Sequence, residues 1–209
     1  MAVVSNGTTI IDNGIFDPAI PTGSLTLIKS ITASASASIS FVDGTDGVVL
    51  DDTYSSYVFK FINIHPQNDG VNSNLFQFNL STDNGSNYNV TKTTTMFSAY
   101  HSEDDTATLL GYFGNQDLAQ STAFQPLSDP YLGADADQSL NGSMSLFSPS
   151  STTFVKHFIA TINYSHSQNY TLNPFVAGYG NTTSAVNAIQ FKMSSGNIDD
   201  GIIKLYGVK

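Results

Sequence analysis

The chain has almost nothing with which to surface a helix. Glu103 is its single Glu, it has no Arg, and its basic residues are seven Lys. The exposed face of a soluble helix is normally built from Glu, Lys, Arg and Gln, whose long side chains lose little freedom there. Here Ser, Thr, Asn, Asp and Gly fill the polar positions, and these favour strands, turns and loops. Fourteen Phe, ten Tyr and a 40% hydrophobic content supply enough apolar bulk for a core. The chain is therefore expected to be all-β.

The same composition excludes several functions. Net charge is −10, carried by sixteen Asp and one Glu against seven Lys. Phosphate neutralisation needs a basic surface, so nucleic-acid binding is not expected. Without Cys there is no disulfide and no thiolate metal site. No segment approaches the roughly 20 apolar residues of a membrane-spanning helix, so no membrane insertion is expected. The first residues hold neither a basic n-region nor a continuous apolar stretch, and so do not read as a secretory signal.

Along the chain, residues 1–23 stand apart. Ile10, Ile11, Ile15 and Phe16 are interrupted by Gly7, Gly14, Pro18, Pro21 and Gly23. This segment reads as an extended arm with at most one short strand. It is either a loose terminus or a docking or swapping segment, with those four apolar residues as its anchors. From residue 24 to 209 the pattern is that of one head domain. Residues 33–41 alternate small and polar in strict period two, as a strand with one buried face does. Residues 54–64 put Tyr57, Phe59 and Phe61 on one face, and Val58, Lys60, Ile62 and Ile64 on the other. Residues 74–81 and 88–97 flank an Asp83-Asn84-Gly85 turn, the strongest hairpin signal in the chain. Residues 98–138 read as a long polar excursion around one short strand at 109–113. Regular strands resume at 143–147, 153–164, 170–177, 186–193 and 202–208. Eight to ten strands at hairpin spacing, with no helix of three turns and no repeat, predict an antiparallel sandwich or barrel.

Catalytic patterns are weak. His65, His101, His157 and His166 are scattered without metal-ligand spacing. No Gly-X-Ser-X-Gly elbow occurs. The Asp51-Asp52, Asp104-Asp105 and Asp199-Asp200 doublets read as solvated turns, since adjacent strand residues point to opposite faces. Asp135 and Asp137 offer oxygens at i and i+2, but a polar loop is favoured over a Ca²⁺ loop. No cofactor, metal site or enzyme activity is expected. The aromatic residues of the excursion, Tyr100, Tyr112 and Tyr131, together with His101, Asp135 and Asp137, form the candidate surface for a partner or a glycan.

Four segments in this order carry a resemblance. They are Leu50-Asp51-Asp52-Thr53-Tyr54 with Tyr57 to Phe61 and His65-Pro66; Leu80 to Tyr88; Ser145 to Ser151; and Ser194 to Gly207. Together they resemble tailed-bacteriophage virion structural proteins, of the marine tail-fibre-like or decoration type. The resemblance implies a jelly-roll-like β-sandwich on the particle surface, made in the bacterial host cytoplasm. It implies partners among the capsid or tail proteins, a homo-oligomer with a trimer favoured, and in some cases a host surface glycan. It carries over no catalytic residue. A short-fibre attachment protein is the leading expectation. A capsid decoration protein, cement or knob, without receptor binding is the first alternative, and a carbohydrate-binding module the second. A glycan hydrolase would need facing carboxylates across a cleft.

Overall fold

In the computed structural model, residues 2–5, 7–12, 15–16, 24–69 and 74–209 are described. For Thr8, Ile11, Asp12, Ile15 and Phe16 the description is of the backbone alone. Every strand pairing is antiparallel and no helix occurs among these residues, as the polar composition requires.

At the N-terminus, β1 (Val3–Ser5), β2 (Thr8–Asp12) and β3 (Ile15–Phe16) form a small three-stranded sheet. One short strand was expected here and three are found. They pair with no strand of the head among the described residues. Of the expected anchors, Ile10 is half-buried, and the side chains of Ile11, Ile15 and Phe16 lie outside the described residues.

The head is an antiparallel β-sandwich. Among the described residues its twelve strands are β4 (Leu25–Thr32), β5 (Ile39–Val42), β6 (Ser56–Pro66), β7 (Phe76–Ser81), β8 (Lys92–Ser102), β9 (Thr108–Tyr112), β10 (Gln125–Pro126), β11 (Leu140–Phe147), β12 (Lys156–His166), β13 (Tyr170–Gly180), β14 (Ala188–Met193) and β15 (Ile198–Val208). Eight form one sheet in the order β4-β15-β6-β11-β12-β13-β8-β9, and four form the second in the order β10-β7-β14-β5. Their inner faces meet in one apolar core. Phe191 of the small sheet lies at its centre, with ring centroids of Phe59 and Phe61 both at 5.2 Å, Phe76 at 6.0 Å, Phe78 at 6.2 Å and Phe41 at 6.4 Å. Mostly edge-to-face and tilted rings fill this space as aromatic quadrupoles prefer.

Three local expectations need correcting. The Asp-Asn-Gly turn forms, with Asn84 and Gly85 at φ 57° and 80°. Asp83 accepts from the Ser81 hydroxyl and the Asn87 backbone. Yet β7 and β8 do not pair, because they belong to different sheets. The turn makes an arch between sheets rather than a hairpin. Residues 33–41 are likewise not one strand: Ala35 takes φ 47°, and the chain crosses there from β4 in the large sheet to β5 in the small one. Third, Ile64 faces the core with Tyr57, Phe59 and Phe61 instead of away from them. Asn63, at φ 50°, sits in a bulge that reverses the alternation of β6. An extra residue in one strand flips everything beyond it to the other face. Gly201 lies against this bulge at φ 121°, where an added Cβ would come within 2.7 Å of the Asn63 carbonyl oxygen.

Residues 98–138 differ from the expected excursion as well. Tyr100 and His101 belong to β8, and β9 pairs back on it. The remaining stretch is irregular but tied down: residues 125–129 are buried, and Leu127 donates to the Phe76 carbonyl at 2.7 Å.

Candidate functional site

The inner face of the large sheet runs past the end of the small one, and there the core opens into a pocket. Register places Tyr164 of β12, Leu172 of β13 and Tyr100 of β8 in one row across the sheet. His166, Tyr170 and Ser102 form the next row out. The segment carrying Asp129 and Tyr131 folds over these rows. It is anchored by paired backbones at Asn74 and Tyr131, and at Leu132 and His166. The result is a cavity of about 230 Å³ lined by Tyr100, Phe113, Tyr131, Tyr170, His166 and Asp129, with Gln168 and Leu172.

Its walls are mostly rings. Tyr131 stacks on His166 at 4.9 Å, His166 meets Tyr170 edge-on at 5.3 Å, and Tyr170 meets Tyr100 at 5.4 Å. Behind them, Asp129 and His166 are both buried. The Gln168 backbone N–H donates to His166 Nδ1 at 3.0 Å, which leaves the ring proton on Nε2. Nε2 faces Asp129 Oδ2 at 3.8 Å. Asp129 Oδ1 accepts from the Tyr131 backbone at 2.9 Å, and the Asp129 backbone N–H donates to the Tyr164 hydroxyl at 3.1 Å. Burial pushes His166 below its ordinary pKa, against the opposing pull of the Asp129 and Asp69 charges. Burial, and then the Asp129 charge, holds the Tyr164 hydroxyl well above its ordinary value.

This geometry suits binding better than proton transfer. One ring nitrogen of His166 accepts a backbone hydrogen bond and the other is turned to Asp129. A general base needs a ring nitrogen within reach of the substrate's proton. The pair instead fixes the position of Tyr131, which both the Asp129 carboxylate and the His166 ring hold. The hydroxyls of Tyr100 and Tyr170 and the amide of Gln168 have no hydrogen-bond partner among the described residues. A concave site with apolar walls and a few polar groups is the usual form of a small-ligand pocket. Its volume admits one ring-sized group.

The expected surface residues therefore divide. Tyr100 and Tyr131 come together in the pocket. His101 and Tyr112 lie on the opposite, outer face of the sheet, each beside a carboxylate. His101 Nε2 is 2.9 Å from Asp105 Oδ1, and the Tyr112 hydroxyl donates to Asp117. Asp135 and Asp137 lie elsewhere again. His65 Nε2 is 3.3 Å from the Asp135 carbonyl, and Asp137 lines an open groove of about 530 Å³ with His65, Asp199 and Asp200. No cluster of three or more His, Asp or Glu among the described residues is arranged to hold a metal ion. Sequence reading missed Phe113, Asp129, His166, Gln168 and Tyr170. The available signal was the short turn from His166 to Tyr170, which sets both residues on one face of a hairpin.

No family model, curated protein or solved structure matches this chain.

Proposed function

We infer that the chain is a non-enzymatic bacteriophage virion surface protein, a short-fibre or tail-fibre-like attachment protein whose head holds a sugar ring. The virion part rests on the resemblance of the four segments quoted above. The small N-terminal sheet, which shares no strand pairing with the head among the described residues, supports a docking role for residues 1–23. The observation that carries the binding part is the aromatic pocket, with Tyr131 held in place by the Asp129–His166 pair. Aromatic faces pack on the C–H faces of a sugar, while the Tyr100, Tyr170 and Gln168 polar groups are placed for its hydroxyls. The −10 charge and the buried Asp129 favour a neutral sugar over an acidic one.

Two measurements test the two parts separately. Antibody against the chain is expected to label virions at the tail; unlabelled particles refute the virion part, and labelled heads favour decoration. On a glycan array the purified chain is expected to bind neutral glycans, with binding lost in Y131A and Y170A. A blank array, or binding untouched by both substitutions, refutes the pocket.

A further inference from the structure

The outer face of the large sheet, remote from the pocket, carries one row of residues in register across all eight strands. In sheet order it reads Ser30, Lys204, Lys60, Ser143, Thr161, Phe175, Phe97 and Tyr112. Lys204 and Lys60 are direct cross-strand neighbours, and like charges placed so repel each other. Neither has an ion-pair partner among the described residues. At the other end Phe175 and Phe97 stack at 5.0 Å and 6° between ring planes, both exposed, with Tyr112 and Leu110 more exposed beside them. The only carboxylates in the eight strands are Asp199 and Asp200, at the start of β15. A chain of net charge −10 thus keeps its carboxylates off the middle of this face; those nearest its β8–β9 end are Asp105, beside His101, and Asp117, which accepts from the Tyr112 hydroxyl.

The row is self-complementary. A twofold axis parallel to the strands, lying in the plane of contact over the line between β11 and β12, maps the third strand onto the sixth and the second onto the seventh and lays the row over the partner's row. It sets Lys60 over the partner's Phe175 and Lys204 over the partner's Phe97. Ser30 falls over the partner's Tyr112, and the small Ser143 and Thr161 meet at the axis. A cation over an aromatic ring is favourable, and more so when desolvated. The chain already makes such a contact internally, with Lys192 Nζ 4.4 Å from the Phe124 centroid. Isologous pairing satisfies both ends of the row at once. Five strands of eleven residues and three of five to eight give a face of about 1,000 Å², above the roughly 800 Å² per partner of a standard interface.

We propose that this face is the interface of a twofold-symmetric homodimer, closed by Lys60 and Lys204 of each copy on the Phe175 and Phe97 pair of the other. The inference stands apart from the virion reading and from the pocket. Light scattering of the purified 209-residue chain is expected to give twice its 22.3 kDa. F97D/F175D and K60E/K204E are each expected to weaken the dimer by about 100-fold or more. All four positions face solvent in the single chain, and an unchanged circular-dichroism melt of diluted protein checks that the variants fold. The chain has no Cys, so a short bismaleimide is expected to crosslink T161C, at the axis, and to leave N84C, at a loop tip, uncrosslinked. A monomer overturns the proposal. So does a trimer, an association that both double variants leave intact, or crosslinking of N84C in preference to T161C.

Discussion

Raising the pH from about 7.5 to 9.5 is expected to stabilise the fold, and Lys92 is the reason. Its side chain is fully buried between the sheets, with Nζ donating to Asn79 Oδ1 at 2.5 Å and to the Val90 carbonyl at 2.7 Å. No carboxylate among the described residues offsets it, and burial lowers its pKa from 10.5 to about 7. A neutral amine has two N–H groups, and two acceptors are in place. In the unfolded chain the lysine holds its proton up to about pH 10.4. Between those limits the unfolded state binds more protons than the folded state, so stability rises with pH. The limiting slope is about 1.4 kcal/mol per pH unit, so two units contribute on the order of 2–3 kcal/mol. Burial lowers the pKa of Lys156 too, which adds with the same sign. Burial and the Asp51 charge raise Tyr57, and burial raises Tyr164; they act in the opposite direction, but only as the unfolded tyrosines ionise near pH 10. Urea unfolding at half-unit steps across this window measures the slope, and the same series on K92M isolates the lysine. A flat or falling profile in the wild type, or an identical slope in K92M, refutes the reasoning.

Two further outcomes follow from the core and the pocket. Phe191→Ala empties the position where five other phenylalanine rings converge and should cost about 3–5 kcal/mol in urea unfolding; a loss under about 1 kcal/mol would mean the core closes over the gap. His166 is depressed by burial and partly restored by Asp129, so the unfolded state binds the extra proton first as pH falls below about 6.5, and stability drops there. Asp129→Asn removes the opposing charge and should move the His166 titration, followed by NMR, further down; an upward move contradicts the assignment.

Where a strand is regular, alternation along the chain separated inside from outside. Tyr57, Phe59 and Phe61, or Phe158, Ala160 and Ile162, are buried as period two requires. Alternation does not say which sheet a strand joins. That choice is made at Ala35 and at the Asn84-Gly85 arch, where a left-handed backbone turns the chain between layers; the residues around Ala35 read equally well as one unbroken strand, and Asn84-Gly85 equally well as a hairpin turn. The bulge at Asn63 was invisible for a related reason, since one residue of left-handed backbone leaves the composition of β6 unchanged while reversing the face of Ile64. The pocket was half legible. Tyr100 and Tyr131 stood out as aromatics in a polar stretch, but Asp129 and His166 are far apart in sequence and meet only because β12 ends where the buried segment 125–129 folds back.

The ratio of sixteen Asp to one Glu is a consequence of this architecture, and it sets the electrostatics of the surface. Asp has a side chain short enough to accept from a backbone N–H one or a few residues along its own turn. Asp51 does so to Thr53, Asp83 to Asn87, Asp104 to Thr106, Asp129 to Tyr131 and Asp200 to Gly201. Asp43 closes a longer loop on Leu50. A glutamate, one methylene longer, does not fit these tight rings. An all-β chain with many turns therefore gathers its carboxylates at the loops, and its few lysines fall in strands: all but Lys209 do so, two of them buried at Lys92 and Lys156. The result is an acidic rim around a nearly uncharged sheet face that bears Lys60 and Lys204. Rims repel when two such molecules meet edge to edge, whereas the faces do not. Turn-making thus leaves the outer sheet as the surface on which a second copy meets least opposition.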